Sequence, residues 1–211
     1  GGLCEQLAMP HAPSTQEADV RRSFVLSPVF FAANKFAGLD KTRQINIRLV
    51  GSDQIKTLPP YKNTDRLFPG PQGFICCRSD DNFALFDVAQ KAAVAEIAVP
   101  HVKYVVWDGG YQKAALISKH HITVVTRRMK QVAAVHETTR IKSACFDDTL
   151  PVLIYTTHNH LKFCALSTGE TGTLCTLDGV MYIVRVSNDV LWYVDRAGHV
   201  IEKRFDNTEL G

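Results

Sequence analysis

Short runs of alternating apolar and polar residues recur along this chain at a nearly constant interval. Five of them begin at positions 45, 83, 122, 161 and 200, and they read INIRLV, FALFDV, ITVVTR, LKFCAL and VIEKRF. Successive members are therefore 38 or 39 residues apart. Alternation with a period of two predicts β-strands, and the 3.6-residue period of an amphipathic helix is nowhere sustained. The pattern predicts one β-sheet unit repeated several times.

Three further series of strand-like runs accompany the first. One precedes it by about ten residues and reads KFAGLD, GFICCRSD, KAALISKH, VLIYTTHN and VLWYVDR. Another lies ahead of that one and reads PVFFAAN, RLFPGPQ, VKYVVWD, IKSACFDD and YIVRVSND. The last follows the first series and reads QIKTLP, AAVAEIAV, QVAAVHE and GTLCTLD. Four short strands in a unit of about 40 residues, joined by tight polar turns, are typical of a β-propeller blade.

The repeat predicts an all-β fold, a β-propeller with degenerate WD repeats and about five blades. The predicted blades cover residues 24–60, 65–100, 101–138, 140–179 and 180–206. We interpret residues 1–9 as a strand left over from a preceding blade, residues 10–23 as a flexible loop between blades, and residues 207–211 as a tail. A closed ring of five blades is one alternative. Part of a larger ring is favoured, because the fifth unit lacks its fourth strand.

Composition excludes few functions. Lys and Arg number 24 against 21 Asp and Glu, so the formal net charge of +3 does not by itself indicate a nucleic-acid or membrane partner. No apolar run approaches the roughly 20 residues that a membrane-spanning helix needs.

The six cysteines are predicted to be small buried residues in a reducing cytosolic compartment. They are Cys4, Cys76, Cys77, Cys145, Cys164 and Cys175, and no two of them form a CxxC motif. Cys76 and Cys77 are neighbours in a predicted strand, so their side chains are expected on opposite faces of the sheet. That arrangement suits packing better than shared metal ligation.

The amino-acid sequences of several predicted strands resemble those of one family, the α subunits of coatomer. Coatomer is the coat of Golgi-derived transport vesicles. The resemblance is strongest over 102-VKYVVW-107, 114-AALISKHHITVVTRR-128, 136-HETTRIKSACFDD-148, 151-PVLIYTTHNHLKF-163 and 176-TLDGVMYIVRV-186. It implies the second of two consecutive seven-bladed WD-repeat propellers, with roughly its last five blades present. Only Phe86-Asp87 sits where the usual strand-ending Trp-Asp would lie. Trp107-Asp108 ends a first strand, so it is not that motif.

The resemblance implies a structural scaffold subunit of the COPI coat, acting in Golgi-to-ER retrograde and intra-Golgi protein transport. The implied partners are the other coatomer subunits and a small GTPase that assembles the coat on Golgi membranes. The implied location is cytoplasmic and peripheral, on Golgi membranes and COPI-coated vesicles through the complex. No nucleic acid and no small-molecule substrate are implied. The family's cargo-binding residues belong to the first propeller, so they cannot be carried over to this chain.

Two clusters invite a chemical interpretation. His120-His121 and His158-Asn159-His160 occupy the same hairpin in successive predicted blades, which raises the possibility of zinc binding. No cysteine or carboxylate completes an obvious four-ligand set. Asp147-Asp148 resembles an acid pair, but neighbours at a strand end point apart, so a role in a turn is the better interpretation.

Five basic residues near the third predicted blade could form a patch for acidic partners or an anionic membrane. They are Arg127, Arg128, Lys130, Arg140 and Lys142. The competing interpretation is solvated charge at turns.

No residue is assigned a catalytic, cofactor-binding or metal-binding role, and no cofactor is expected. The chain has no GxSxG motif, and 169-GETG-172 lacks the Lys-Ser/Thr of a phosphate loop. The sequence therefore predicts a protein that is not an enzyme and that acts through protein–protein interactions. The alternative is a free-standing β-propeller enzyme or ligand-binding module that uses its central channel.

Overall fold

The computed structural model describes residues 28–177 and 180–205, which form nineteen strands and no helix. The strands make five antiparallel sheets, and the predicted all-β propeller fold is confirmed. The predicted leftover strand at 1–9, the loop at 10–23 and the tail at 207–211 lie outside the described residues. No helix among the residues described is long and apolar enough to cross a membrane.

Each sheet is one blade, and the blades follow one another along the chain. Blade 1 comprises β1 (Val29–Ala32), β2 (Lys35–Leu39), β3 (Ile45–Leu49) and β4 (Ile55–Leu58). Blade 2 comprises β5 (Thr64–Pro69), β6 (Phe74–Ser79), β7 (Asn82–Asp87) and β8 (Ala92–Ile97). Blade 3 comprises β9 (Tyr104–Trp107), β10 (Lys113–Ile117), β11 (His121–Thr126) and β12 (Gln131–His136). Blade 4 comprises β13 (Ser143–Phe146), β14 (Val152–Thr156), β15 (His160–Ala165) and β16 (Thr171–Thr176). Blade 5 comprises β17 (Val180–Ser187), β18 (Val190–Asp195) and β19 (Val200–Arg204).

Within every blade, each strand pairs with its neighbours in sequence, so each sheet is a simple meander. Tight turns make this possible: Ser79 pairs with Asn82 across a two-residue hairpin in which Asp80 has a φ of 40°. Gly169 and Gly198 also adopt the left-handed conformation, with φ values of 75° and 85°. Glycine reaches this region without steric cost, so it suits these turns.

The outermost strands of blades 2, 3 and 4 are irregular. In blade 2, Leu85 pairs with Ala95 but Phe86 pairs with Ala93, so Val94 is an extra residue in the outer strand. Val132 and Leu174 occupy corresponding bulges in blades 3 and 4. Bulges bend an exposed edge strand and discourage it from pairing with another chain.

Apolar side chains fill the four junctions between consecutive blades. Adjacent residues of a strand enter different junctions, because successive side chains point to opposite faces. Cys77 packs in the cluster between blades 1 and 2, whereas Cys76 packs in the cluster between blades 2 and 3. Both side chains are fully buried. The two faces of blade 2 thus belong to two separate cores, as the neighbouring cysteines predicted.

The outer faces of the first and last blades carry exposed apolar side chains. Phe30 in blade 1 is 54% exposed, and Val184 in blade 5 is 51% exposed. Among the residues described, no apolar cluster joins blade 5 to blade 1. The five blades therefore form part of a propeller, in which blades 2, 3 and 4 are covered on both faces.

Polar contacts fix the position of blade 3 between its neighbours. The indole Nε1 of Trp107 donates to the carbonyl of Pro69 in blade 2, at 3.0 Å. The hydroxyl of Tyr104 donates to the carbonyl of Lys142, just before blade 4, at 2.8 Å. Both aromatic residues belong to β9, so this strand is tied to the backbone on either side.

A carboxylate that follows blade 3 makes two close polar contacts with blade 4. Glu137, which follows β12, accepts a hydrogen bond from the Tyr155 hydroxyl at 2.6 Å. It also forms an ion pair with Lys162 at 2.6 Å. The Glu137 side chain is only 12% exposed. Partial burial raises the pKa of Glu137, but the hydrogen bonds from Lys162 and Tyr155 outweigh this effect and the net shift is downward.

Replacing this carboxylate by an amide should weaken the junction in a pH-dependent way. We expect Glu137→Gln to lower the free energy of unfolding by about 1–3 kcal/mol at neutral pH, because Lys162 loses its charged partner. A lowered pKa in the folded state means that this stabilisation is present above the ordinary carboxyl pKa. It is lost as the pH falls through the lowered value. Urea unfolding of both proteins across acid and neutral pH measures the difference.

Glu96→Gln is the matched control, because Glu96 also contacts a tyrosine and a lysine but its side chain is 50% exposed. We expect a smaller loss there, since solvent screens exposed ion pairs. An equal loss in the two variants, or a loss at Glu137 that does not shrink in acid, would contradict this account.

Candidate interaction surfaces

The strand order gives the propeller two rims. In blade 3 the turns 108–112 and 127–130 lie at one rim, which we name the Arg127 rim. The turn 118–120 and the connection 137–142 lie at the other, which we name the His120 rim. This follows from the meander, because antiparallel strands place alternate turns at opposite ends of a sheet.

The aspartates considered as an acid pair have separate structural contacts. Asp147 Oδ1 accepts hydrogen bonds from the backbone amides of Thr149 and Leu150, as in a side-chain-capped turn. Asp148 instead pairs with Arg185 of blade 5 at 2.8 Å, in a largely exposed contact. Asp147 therefore stabilises a turn, and Asp148 joins blade 4 to blade 5.

The histidine contact in the structure lies within blade 3 and does not join the hairpins of successive blades. His121 Nε2 lies 2.8 Å from His136 Nδ1, a cross-strand neighbour that the sequence did not single out. His120 Nδ1 lies 3.2 Å from the carbonyl of Thr139. No group of three or more histidine, cysteine or acidic side chains within the described ranges is placed to hold a metal ion. A bulge in β12 shifts its register, so strand alternation alone does not reveal that His121 faces His136.

The five basic residues separate into two groups. Arg127, Arg128 and Lys130 lie in the hairpin before β12, at the Arg127 rim, whereas Arg140 and Lys142 lie beyond the other end of that strand. Six residues of β12 lie between the groups, a separation of about 20 Å at roughly 3.3 Å per residue. The five cations therefore do not form one patch, although they are near one another in sequence.

A groove of about 810 Å³ lies between blades 2 and 3 at the Arg127 rim. Phe74, Leu85 and Val94 of blade 2 form its apolar side. Blade 3 contributes the basic side chains Lys113, Arg127, Arg128 and Lys130. The Arg127 guanidinium stacks over the Phe74 ring, with its central carbon 5.1 Å from the ring centre. This stacking holds one cation at the boundary between the apolar and the charged parts of the groove.

An equivalent groove of about 550 Å³ lies one repeat earlier, between blades 1 and 2. Ile47 and Ile55 line it where Leu85 and Val94 line the later groove, at intervals of 38 and 39 residues. Its basic lining residues are Lys35, Arg48 and Lys56. The repeat thus places a groove at two successive junctions, and the basic side chains come from blade 1 in the earlier groove and from blade 3 in the later one.

The five cysteines within the described residues are placed for packing, and Cys4 lies outside those residues. Cys76, Cys77 and Cys164 are buried, and Cys145 and Cys175 are half-buried; all five have free thiols. Burial raises the pKa of the Cys77 thiol to about 12 and that of Cys76 well above its ordinary value. The reactive thiolate is therefore scarce at neutral pH.

Alkylation should distinguish these thiols from accessible ones. We expect iodoacetamide at neutral pH to modify Cys76 and Cys77 only after the chain is unfolded in urea, because the folded core excludes the reagent and disfavours the thiolate. Peptide-level mass spectrometry reads the modification at each site, and Cys145 and Cys175 serve as half-buried comparisons. Rapid modification of Cys76 or Cys77 in the folded protein would show that the blade 2 core is not packed as described.

Solved structures with the same architecture share very little sequence with this chain. The crystal structure of the mitotic checkpoint complex contains a chain that superposes with a TM-score of 0.60 at 12% identity, covering 84% of this chain and 60% of that one. The computationally designed Ika4 protein superposes with a TM-score of 0.53 at 11% identity, covering 71% of this chain and 96% of that one. These likenesses concern the fold alone. Five meander sheets packed one after another are the architecture of a β-propeller.

Sequence comparison defines the family. The sequence model described as COPA/B second beta-propeller matches residues 12–195. Coatomer subunit alpha-1 of Arabidopsis thaliana is 38% identical over 181 residues, and coatomer subunit alpha of Dictyostelium discoideum is 34% identical over 187 residues. These matches cover 85% and 87% of this chain but 15% of each relative. The chain belongs to the COPA/B second beta-propeller family, and it spans a small part of the length of the relatives it matches.

Proposed function

We propose that this chain is a structural segment of a coatomer α subunit, and that it holds the geometry of a COPI coat. The observation that carries the proposal is the family match over residues 12–195, which includes part of every blade. The packing supports it as well. Three blades are covered on both faces, and β9 is tied by hydrogen bonds to the blades on either side. Such a body is rigid enough to present its rims to partners.

The partners proposed are the other coatomer subunits, together with the small GTPase that assembles the coat on Golgi membranes. The transport steps proposed are Golgi-to-ER retrieval and transport within the Golgi. The location proposed is the cytoplasm, with peripheral association to Golgi membranes and COPI-coated vesicles through the complex. The resemblance to coatomer α subunits, at 38% identity to the Arabidopsis thaliana relative, supports these assignments.

The proposed mechanism requires no reaction. Rims and grooves of a stable propeller bind partner surfaces, and the free energy of assembly comes from shape and charge complementarity. The side chains with candidate chemistry have structural contacts: Asp147 caps a turn, Asp148 joins blades 4 and 5, and His121 pairs with His136. A role that is not enzymatic is therefore proposed.

Capture from cells tests the proposed function. A tagged full-length subunit carrying this sequence should recover the other coatomer subunits, identified by mass spectrometry. We expect Ile154→Asp to abolish recovery, because Ile154 is fully buried between blades 4 and 5 and a charge there unfolds the junction.

The control is a variant that removes candidate chemistry from the surface while keeping the fold. Asp147→Asn combined with His158→Ala should recover the subunits as the unchanged protein does, since Asn still accepts hydrogen bonds and His158 is exposed. Recovery of no coatomer subunit by the unchanged protein, or loss of recovery in this folded control, would contradict the scaffold proposal.

A further inference from the structure

The groove between blades 2 and 3 combines an apolar side with a concave shape. Val94, the extra residue of the β8 bulge, is 48% exposed. Phe74, half-buried at the start of β6, lines the same groove. An aliphatic or aromatic side chain of a ligand can bury apolar surface here, which is the favourable term in most protein associations.

Every charged residue that lines the opposite side of the groove is basic. Lys113, Arg127, Arg128 and Lys130 line it, and no carboxylate is among the described lining residues. Within the described part of the chain, none of these four side chains forms a salt bridge. Four cations around one groove create a positive potential that attracts anionic groups.

Nearby carboxylates of this rim do not neutralise the groove through direct contacts. Asp87 accepts hydrogen bonds from the backbone amides of Ala89 and Gln90 in its own turn. Asp108 accepts one from the backbone amide of Gln112. Their side chains therefore organise turns, and the cations stay available to a ligand.

A second groove lies one repeat earlier, between blades 1 and 2. Its apolar residues Ile47 and Ile55 correspond to Leu85 and Val94, and its charged lining residues are also all basic. Two grooves of like charge at successive junctions suit an elongated ligand better than a compact one.

We propose that the groove between blades 2 and 3 docks an extended acidic peptide segment of a partner protein, with an aliphatic or aromatic residue against Phe74 and Val94. Asp and Glu side chains on either side of that residue pair with Arg127, Arg128 and Lys130. A peptide fits better than a bilayer surface, because the apolar side lies inside a concave groove. The inference rests on the proposed scaffold role, since it names the chemical class of one partner contact.

Fluorescence anisotropy tests the proposal with a defined probe, a fluorescein-labelled peptide in which a Leu-Phe pair is flanked on both sides by Asp and Glu. The 211-residue chain should bind it, and added salt should weaken binding. The same peptide with Asn and Gln in place of the acids should bind about tenfold more weakly.

Arg128→Gln combined with Lys130→Gln should also weaken binding about tenfold, since both side chains are exposed and contribute to the rim charge. The matched control, Lys119→Gln combined with Lys142→Gln, removes the same charge from the opposite rim and should leave binding unchanged. Val94→Ser should reduce binding about threefold through lost apolar contact. Circular dichroism checks that each variant is folded. If Arg128→Gln with Lys130→Gln fails to fold, Arg127→Lys replaces it, because it keeps the charge but loses the stacked guanidinium.

Each result decides the proposal. Equal weakening by the two double variants would overturn it, because nonspecific charge would then explain binding. No binding of the acidic peptide would also overturn it, as would groove-dependent binding only to vesicles of phosphatidylcholine and phosphatidylserine, which would assign the groove to a membrane. Recovery of coatomer subunits is measured separately, so failure of peptide binding alone leaves the scaffold proposal standing, and failure of recovery alone leaves the peptide result standing.

Discussion

The rest of this structure depends on burying both faces of each four-stranded sheet. The inner strands of a blade, such as β7 and β14, carry buried side chains on both faces, and one sheet alone cannot cover either face. Blade 2 shows the constraint most clearly, because its adjacent Cys76 and Cys77 enter different cores. Packing each blade against the next produces the propeller, and the same packing leaves grooves where the outer strands of neighbouring blades diverge. The surfaces proposed for binding are therefore a consequence of the core.

Several features could be predicted from the sequence because they depend on local physics. The strand series follows from alternation, and the left-handed conformations of Gly169 and Gly198 follow from their turns. The positions of Cys76 and Cys77 on opposite faces of their sheet follow from the two-residue period of a strand. Each of these predictions requires only neighbours in the chain, and the repeat of about 39 residues then gives the architecture.

Other features could not be predicted, because they depend on register or on contacts between blades. His121 faces His136 only because a bulge in β12 shifts the pairing. Glu137 meets Tyr155 across a junction, and no local pattern encodes that contact. Arg127 and Arg140 are near each other in sequence, but β12 lies between them and places them at opposite rims. The groove itself joins Phe74 to Arg127, residues of different blades, so it exists only after the blades are packed.

The central claim is that these five blades are part of a larger propeller built into a coat. Electron cryomicroscopy of coatomer purified from cells through a tag on the full-length subunit tests it most directly. The account predicts density for the five meander sheets inside the complex, with further sheets covering the faces that expose Phe30 and Val184. A complex that lacks this chain, or a chain whose first and last blades pack against each other in a closed ring of five, would contradict it.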